Sequence, residues 1–232
     1  MRTWVLGTLL SFLVLGCATT ARIEGAYRGP ESIGKEDYAI ARPSVELQKA
    51  VRVVLLTFND QRPKHPDLDW TRQANVHADT IGQPTEVRTE LEKAITKGLK
   101  AHPKITLIPV AEFLKNRQAD LVISGKILKS EAQRGANDFA ANTVLEITLR
   151  DEFGNVFWSA PFRVQGFGKT KYRDTGFYDE IDPGKVGAAL TESLESAVNR
   201  FLQAPIFTQA LSRAQKGPDR NLVTEKFGAS VE

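Results

Sequence analysis

Sulfur and histidine are scarce in this chain: one cysteine, one methionine and three histidines among 232 residues. A single cysteine cannot close an internal disulfide. Charge of one sign is scarce as well. The 31 Lys and Arg nearly balance 28 Asp and Glu, and a net +3 is too small for a nucleic-acid-binding field. Long apolar runs are missing beyond the N-terminus, which excludes a multi-span membrane protein. Repeats and low-complexity blocks are missing too. What is present is 41% hydrophobic and 25% charged, the composition of a globular protein, at a length that suits one domain.

The N-terminus carries an address. Met1 and Arg2 form a short positive region, and Trp4 to Leu15 follow without a charge. This stretch is shorter than the roughly 20 residues of a spanning helix and suits the apolar region of a signal peptide. It ends in Val14-Leu15-Gly16-Cys17, and Cys17 is the one cysteine. Val14, Gly16 and Cys17 resemble the lipobox of bacterial lipoproteins; Leu15 departs from it, since a smaller residue is usual there. The resemblance implies cleavage between Gly16 and Cys17, a diacylglyceryl group on the Cys17 thiol and a fatty acyl chain such as palmitate on the new amino group. Two or three such chains anchor a protein stably where one does not. Ala18, rather than Asp, follows the cysteine. By the rule of familiar Gram-negative lipoproteins this implies the outer membrane, on its periplasmic leaflet.

The expected organisation has four parts: signal peptide 1–16, lipidated tether 17–44, one globular periplasmic domain 45–214 and a loose tail 215–232. The tether has no sustained period and carries Gly25, Gly29, Pro30, Gly34 and Pro43. Tyr27 and Tyr38 are isolated aromatics within it. In the body, Val51 to Phe58 reads as a strand buried on both faces, and Asn59 to Gln83 as a long polar loop. Thr85 opens a helix whose stripe is Val87, Leu91, Ala94, Ile95, Gly98 and Leu99, stopped by His102-Pro103. Lys104 to Pro109 is a strand, Ala111 to Asn116 a brief helix, and Ala119 to Leu128 a third strand. Gly125 inside it predicts a bulge or a close helix approach. Gln133 to Asp138 reads as a turn. Asn142 to Arg150 alternates strictly, turns through Asp151–Asn155 and returns as Val156 to Phe167. Gly166 to Pro183 reads as a loop, Lys185 to Leu202 as the second long helix, and Ile206 to Ala214 as a short one. The fold class is α+β, or mixed α/β. One mixed sheet of about five strands carries two long helices on one face, in the order β-α-β-(α)-β-β-β-α.

Two phrases carry a second resemblance. Val53-Val-Leu-Leu-Thr-Phe-Asn-Asp-Gln-Arg62 ends a strand in an F-x-D-x-R turn, and Ala119-Asp-Leu-Val-Ile-Ser-Gly125 is an A-D-x-x-x-x-G strand. Together they resemble small envelope lipoproteins of the YajG, CsgG and LpoB type and the amino-terminal domain of TolB, over about Val51 to Leu202. The resemblance implies non-enzymatic envelope roles.

The sequence offers no catalytic residues, no metal site and no cofactor site. Asp60, His65, Asp67, Asp69, His77 and Asp79 lack the spacing of a calcium or zinc site. Gly166-Phe-Gly168-Lys-Thr170 has its first glycine misplaced for a phosphate loop. No Gly-x-Ser-x-Gly frame occurs, and Asp179, Glu180 and Asp182 read as turn chemistry. A different candidate comes from the two long loops, which share one end of the sheet if the first strand runs beside the last. They hold Trp70, Phe167, Tyr172, Phe177 and Tyr178 among Lys64, Arg72, Lys169, Lys171 and Arg173, an aromatic and basic set suited to binding a protein. A second candidate is the sheet face opposite the helices, expected to carry Val54, Leu56, Phe58, Val122 and Leu128, either filled by the last helix and tail or open for docking. The expected function is a lipid-anchored, non-enzymatic binding or assembly accessory of the envelope. Its expected partners are the membrane, an envelope protein and further copies of itself, but not nucleic acid. Beside it stand an oligomerising structural or secretion-complex subunit without a pore, and an unrecognised periplasmic hydrolase.

Overall fold

From Asp138 to Arg150 every second residue is buried, so one face must meet helices. A computed structural model describes residues 37–62, 87–134, 138–151, 153–157, 161–171 and 183–216. The elements are β1 (Val51–Leu55), β2 (Asn59–Asp60), α1 (Val87–Lys100), β3 (Ile105–Leu107), α2 (Val110–Asn116), β4 (Leu121–Arg134), β5 (Asp138–Arg150), β6 (Phe162–Lys171), α3 (Pro183–Leu202) and α4 (Pro205–Ala214). The strand order is β3-β1-β4-β5-β6, with β2 pairing β4 beyond the end of β1. β1 is parallel to β3 and β4, while β4, β5 and β6 are antiparallel in turn. This is an α+β fold with one mixed sheet.

Chirality decides which face each helix covers. The β1-α1-β3 crossover moves one way along the sheet and β3-α2-β4 moves back. Right-handed crossovers in opposite directions place their helices on opposite faces. Thus α1, α3 and α4 cover one face, with Val53, Ile123, Leu145 and Ile147 against Leu91, Leu194, Phe201 and Phe207. The α2 helix covers part of the other, where Val54 and Val122 pack on Phe113 and Ala119. That corrects the expected docking face. The last helix does not fill it, Leu56 packs against the same α2 cluster, and Phe58 belongs to the main core instead. The remainder of this face is a lattice of charges. Glu146 accepts from Lys126 at 3.0 Å and from Arg163 at 3.3 Å, and Lys169 pairs Asp138 at 2.7 Å. The Lys126 hydrogen bond, followed by its charge and that of Arg163, holds the Glu146 carboxyl below the usual range against the opposing effect of desolvation.

Several boundaries move. The first strand stops at Leu55, and the expected loop opens with the two strand residues Asn59 and Asp60. The expected turn at Gln133–Asp138 is shorter, because β4 runs to Arg134 and β5 starts at Asp138. Val156 makes one bridge to Arg150, and the return strand proper starts at Phe162. It then runs through Gly166 and Gly168 to Lys171 rather than turning into a loop. A β-carbon on either glycine would strike α3 backbone, at Ala197 Cα (2.8 Å) or Ser193 N (2.6 Å). These glycines are therefore helix-packing positions on a strand.

The body also begins earlier than Val45. Tyr38 is 1% exposed and donates to Glu90 at 2.7 Å. Residues 37–48 form an extended strap across α1 and α3, where Ile40 and Leu202 both crowd Gly98. Strap backbone is held by side chains. Asn199 accepts from Ala41 N–H at 2.7 Å and donates to the Ala39 carbonyl at 3.0 Å, and Gln203 donates to the Arg42 carbonyl at 2.6 Å. So the expected tether residues 38–44 belong to the body. Residues 1–36 and 217–232, and with them the signal peptide and nearly all of the expected tail, lie outside the described residues.

Candidate functional site

The carboxyl ends of β1 and β4 are the topological switch of this sheet, since the chain leaves β1 toward β3 on one side and leaves β4 toward β5 on the other. In open parallel sheets such a crevice is the usual ligand site. Here the chain fills it with its own residues. After β1, Leu56 N–H donates to the Ile123 carbonyl at 2.9 Å, β2 pairs Lys126 and Ile127, and Gln61 N–H reaches the Ile127 carbonyl at 3.0 Å. Phe58 is buried against bare Gly125, where a β-carbon would also meet the Glu146 carbonyl at 2.6 Å. The close approach expected at Gly125 is thus by an aromatic ring; the bulge lies farther on, between Ile127 and Lys129.

The two resemblance motifs are halves of one packing device. Phe58 of the first sits on Gly125 of the second. Asp120 of the second grips β1, accepting from Arg52 N–H at 2.7 Å and from its guanidinium at 2.9 Å. Within the turn, Arg62 folds back on Asp60 with bonds of 2.8 and 2.6 Å. That hydrogen bond, aided by the charges of Arg62 and Arg88, holds the Asp60 carboxyl below the usual range against partial burial. The arrangement is a clasp that closes the end of β2 on itself.

β1, β4 and β6 all run toward this end, so the segments 63–86, 135–137 and 172–182 leave from it. The expected sharing of one end holds in strand direction only, since the chain leaves β2 level with Val164 and leaves β6 at Lys171. Its stated reason does not, because β4 and β5 separate β1 from β6. The β2 and β6 ends are three strand steps apart, about 14 Å, and Asp60 lies level with Val164, about 23 Å along the strands from Lys171, so the two ends are about 27 Å apart. Of the aromatic set, Phe167 alone is described, and it lies on β6 rather than in a loop. It is 53% exposed, with the Arg200 guanidinium 5.7 Å from its ring centroid. Trp70, Tyr172, Phe177 and Tyr178 lie outside the described residues, as do Gly16 and Cys17. So do Lys64, Arg72, Arg173, His65, His77, Asp67, Asp69, Asp79, Asp179, Glu180 and Asp182.

Two further features bear on binding, the second of them an exposed edge strand of the kind that can pair with another chain. Below the strap lies an open cavity of ≈ 440 Å³ lined by Arg42, Val45, Leu47, His102 and Lys104. Its polar floor is committed to the strap. His102 Nδ1 accepts Lys104 N–H at 3.2 Å, so Nε2–H donates to the Val45 carbonyl at 3.0 Å, and Lys104 Nζ donates to Leu47 O at 2.6 Å. Second, β6 is a ten-residue strand at the sheet edge. Lys169 N–H points away from β5 and is held by the Glu192 carboxylate at 2.8 Å. The unbroken register puts Arg163, Gln165, Phe167 and Lys171 N–H on the same outward side. Gly168-Lys169-Thr170 is part of this ladder and not a phosphate loop. Among the described residues no group of three acidic, His or Cys side chains is placed to hold a metal ion.

No protein-family model matches the sequence, and no curated protein does. Solved structures are similar at low identity. The hypothetical protein CT253 of Chlamydia trachomatis is 11% identical over 71% of this chain and 98% of its own, with a TM-score of 0.44. A PelC dodecamer from Paraburkholderia phytofirmans is 13% identical over 75% and 94%, at 0.37. The lipoprotein GNA1162 from Neisseria meningitidis is 10% identical over 54% and 88%, at 0.35.

Proposed function

We propose that this chain is a lipid-anchored lipoprotein of the outer membrane, on its periplasmic leaflet, acting as a non-enzymatic binding or assembly accessory. One observation carries the reading: an apolar signal stretch ends in Val14-Leu15-Gly16-Cys17, and that thiol is the only one in the chain. The body supports a binding role. Its switch-point crevice is filled by Phe58 and the Asp60–Arg62 clasp, whereas the outer edge of the ten-residue β6 pairs with no other strand among the described residues. The described body starts at Asp37, about 20 residues after Cys17, and such a tether reaches at most about 70 Å. Replacing Cys17 by Ser tests the anchor: the protein is then unprocessed or moves to the soluble periplasmic fraction. Unchanged processing and membrane partitioning contradict the reading. A second reading, a self-assembling subunit, draws on the same free edge. The size of the full chain in detergent separates them, since a defined large ring favours assembly and a monomer or dimer the accessory.

A further inference from the structure

We propose that the outer edge of β6 is the partner-binding surface and that its occupant is an extended segment of another protein, alternating acidic and apolar residues, added as a strand. The inference rests on the accessory reading and gives it a surface. Strand addition needs a long, regular edge with free backbone groups. The opposite edge, β3, has three residues, whereas β6 has ten and pairs β5 without a bulge. The outward N–H groups of Arg163, Gln165, Phe167 and Lys171 have no partner among the described residues. The fifth, on Lys169, already binds a carboxylate, that of Glu192.

Charge and pattern select the occupant. Arg163, Gln165, Phe167, Lys169 and Lys171 all project on the face away from α3. An added strand of that pattern would set its acidic residues on the face of the three cations and its apolar residues on the opposite face, the one that α3 covers on β6. Cross-strand pairs of opposite charge stabilise, and like charges directly opposite destabilise. Phe167 and Arg200 together form an aromatic and arginine pair of the type that dominates interfaces. A second copy fits less well. Two β6 strands meeting antiparallel about Phe167 place Arg163 opposite Lys171 at both ends.

The test uses the full chain in detergent micelles and a fluorescent ten-residue peptide of alternating Glu and Val, read by anisotropy. A Lys–Val peptide is the charge control. Two further Glu–Val peptides are N-methylated at either the odd or the even positions. The Glu–Val peptide should bind roughly ten-fold tighter than Lys–Val or more. Arg163→Glu with Lys171→Glu should reverse that preference, and Glu192→Ala should tighten binding several-fold by removing the resident carboxylate. One methylation phase should abolish binding and the other leave it, because only one side of the peptide faces β6. Equal binding of the two charge types, loss or survival in both methylation phases, or no binding overturns the proposal. So does self-association of the chain that Phe167→Asp abolishes, which would assign the edge to a second copy. None of these outcomes changes membrane partitioning through Cys17, so this surface and the anchor fail independently.

Discussion

A β-carbon at Gly168 has nowhere to go, because α3 backbone at Ala189 and Ser193 already occupies the space. Gly168→Ala must push the helix from β6 or distort the strand. Overpacking of this kind costs about 1–3 kcal/mol. In a body of this size that lowers Tm by roughly 3–10 °C, and an unchanged melting curve would contradict the packing described. Asp60 makes a different residue-scale statement. Its carboxyl is held low chiefly by the Arg62 hydrogen bond, so its contribution is present above the unfolded value of about 4 and fades as pH falls through the lower folded value. Asp60 is partly exposed, which limits the effect to about 1 kcal/mol at most. Urea unfolding should therefore show Asp60→Asn less stable than the parent at pH 7. The difference should shrink or vanish near pH 3, and a difference that grows on acidification would refute the clasp.

Among elements, the strap is the one whose attachment is made by side chains. Asn199 reads both a donor and an acceptor of strap backbone, at Ala41 and Ala39. Asn199→Ala removes both bonds, each contributing about 1 kcal/mol. The core beneath α3 keeps its apolar contacts. Limited proteolysis should then cut within residues 37–48 several-fold faster, while Tm of the remaining body falls by only a few degrees. Equal cleavage rates in parent and variant would mean that the strap is held otherwise. The strap also shows where sequence patterns fall short. An extended segment satisfied by Asn199, Gln203, His102 and Lys104 has no hydrophobic period of its own, and Pro43 among scattered glycines reads as linker. Leu91, Ala94, Ile95 and Leu99 were legible because one helical face must repeat at 3.6 residues. β5 was legible because one face of its sheet is buried. β6 beyond Phe167 was not, since glycine breaks most strands. Its signal was the period: Val164, Gly166 and Gly168 keep the buried alternation that Arg163, Gln165 and Phe167 oppose.

At the scale of the whole molecule, α1, α2 and the strands around them follow from alternating helix and strand patterns along the chain. The placement of α2 opposite α1 needed the strand order, which spacing along the chain does not give. The aromatic loop set was chosen by composition, and of its members Phe167 stands on the exposed edge strand. The account as a whole depends on what happens at Gly16 and Cys17. Intact-mass and N-terminal peptide mass spectrometry of the protein purified from bacterial membranes tests this most directly. The account predicts a mature chain beginning at Cys17 and carrying a diacylglyceryl group on sulfur and an acyl chain on its amino nitrogen. A chain that retains Met1, or begins elsewhere with an unmodified Cys17 or none, would contradict it.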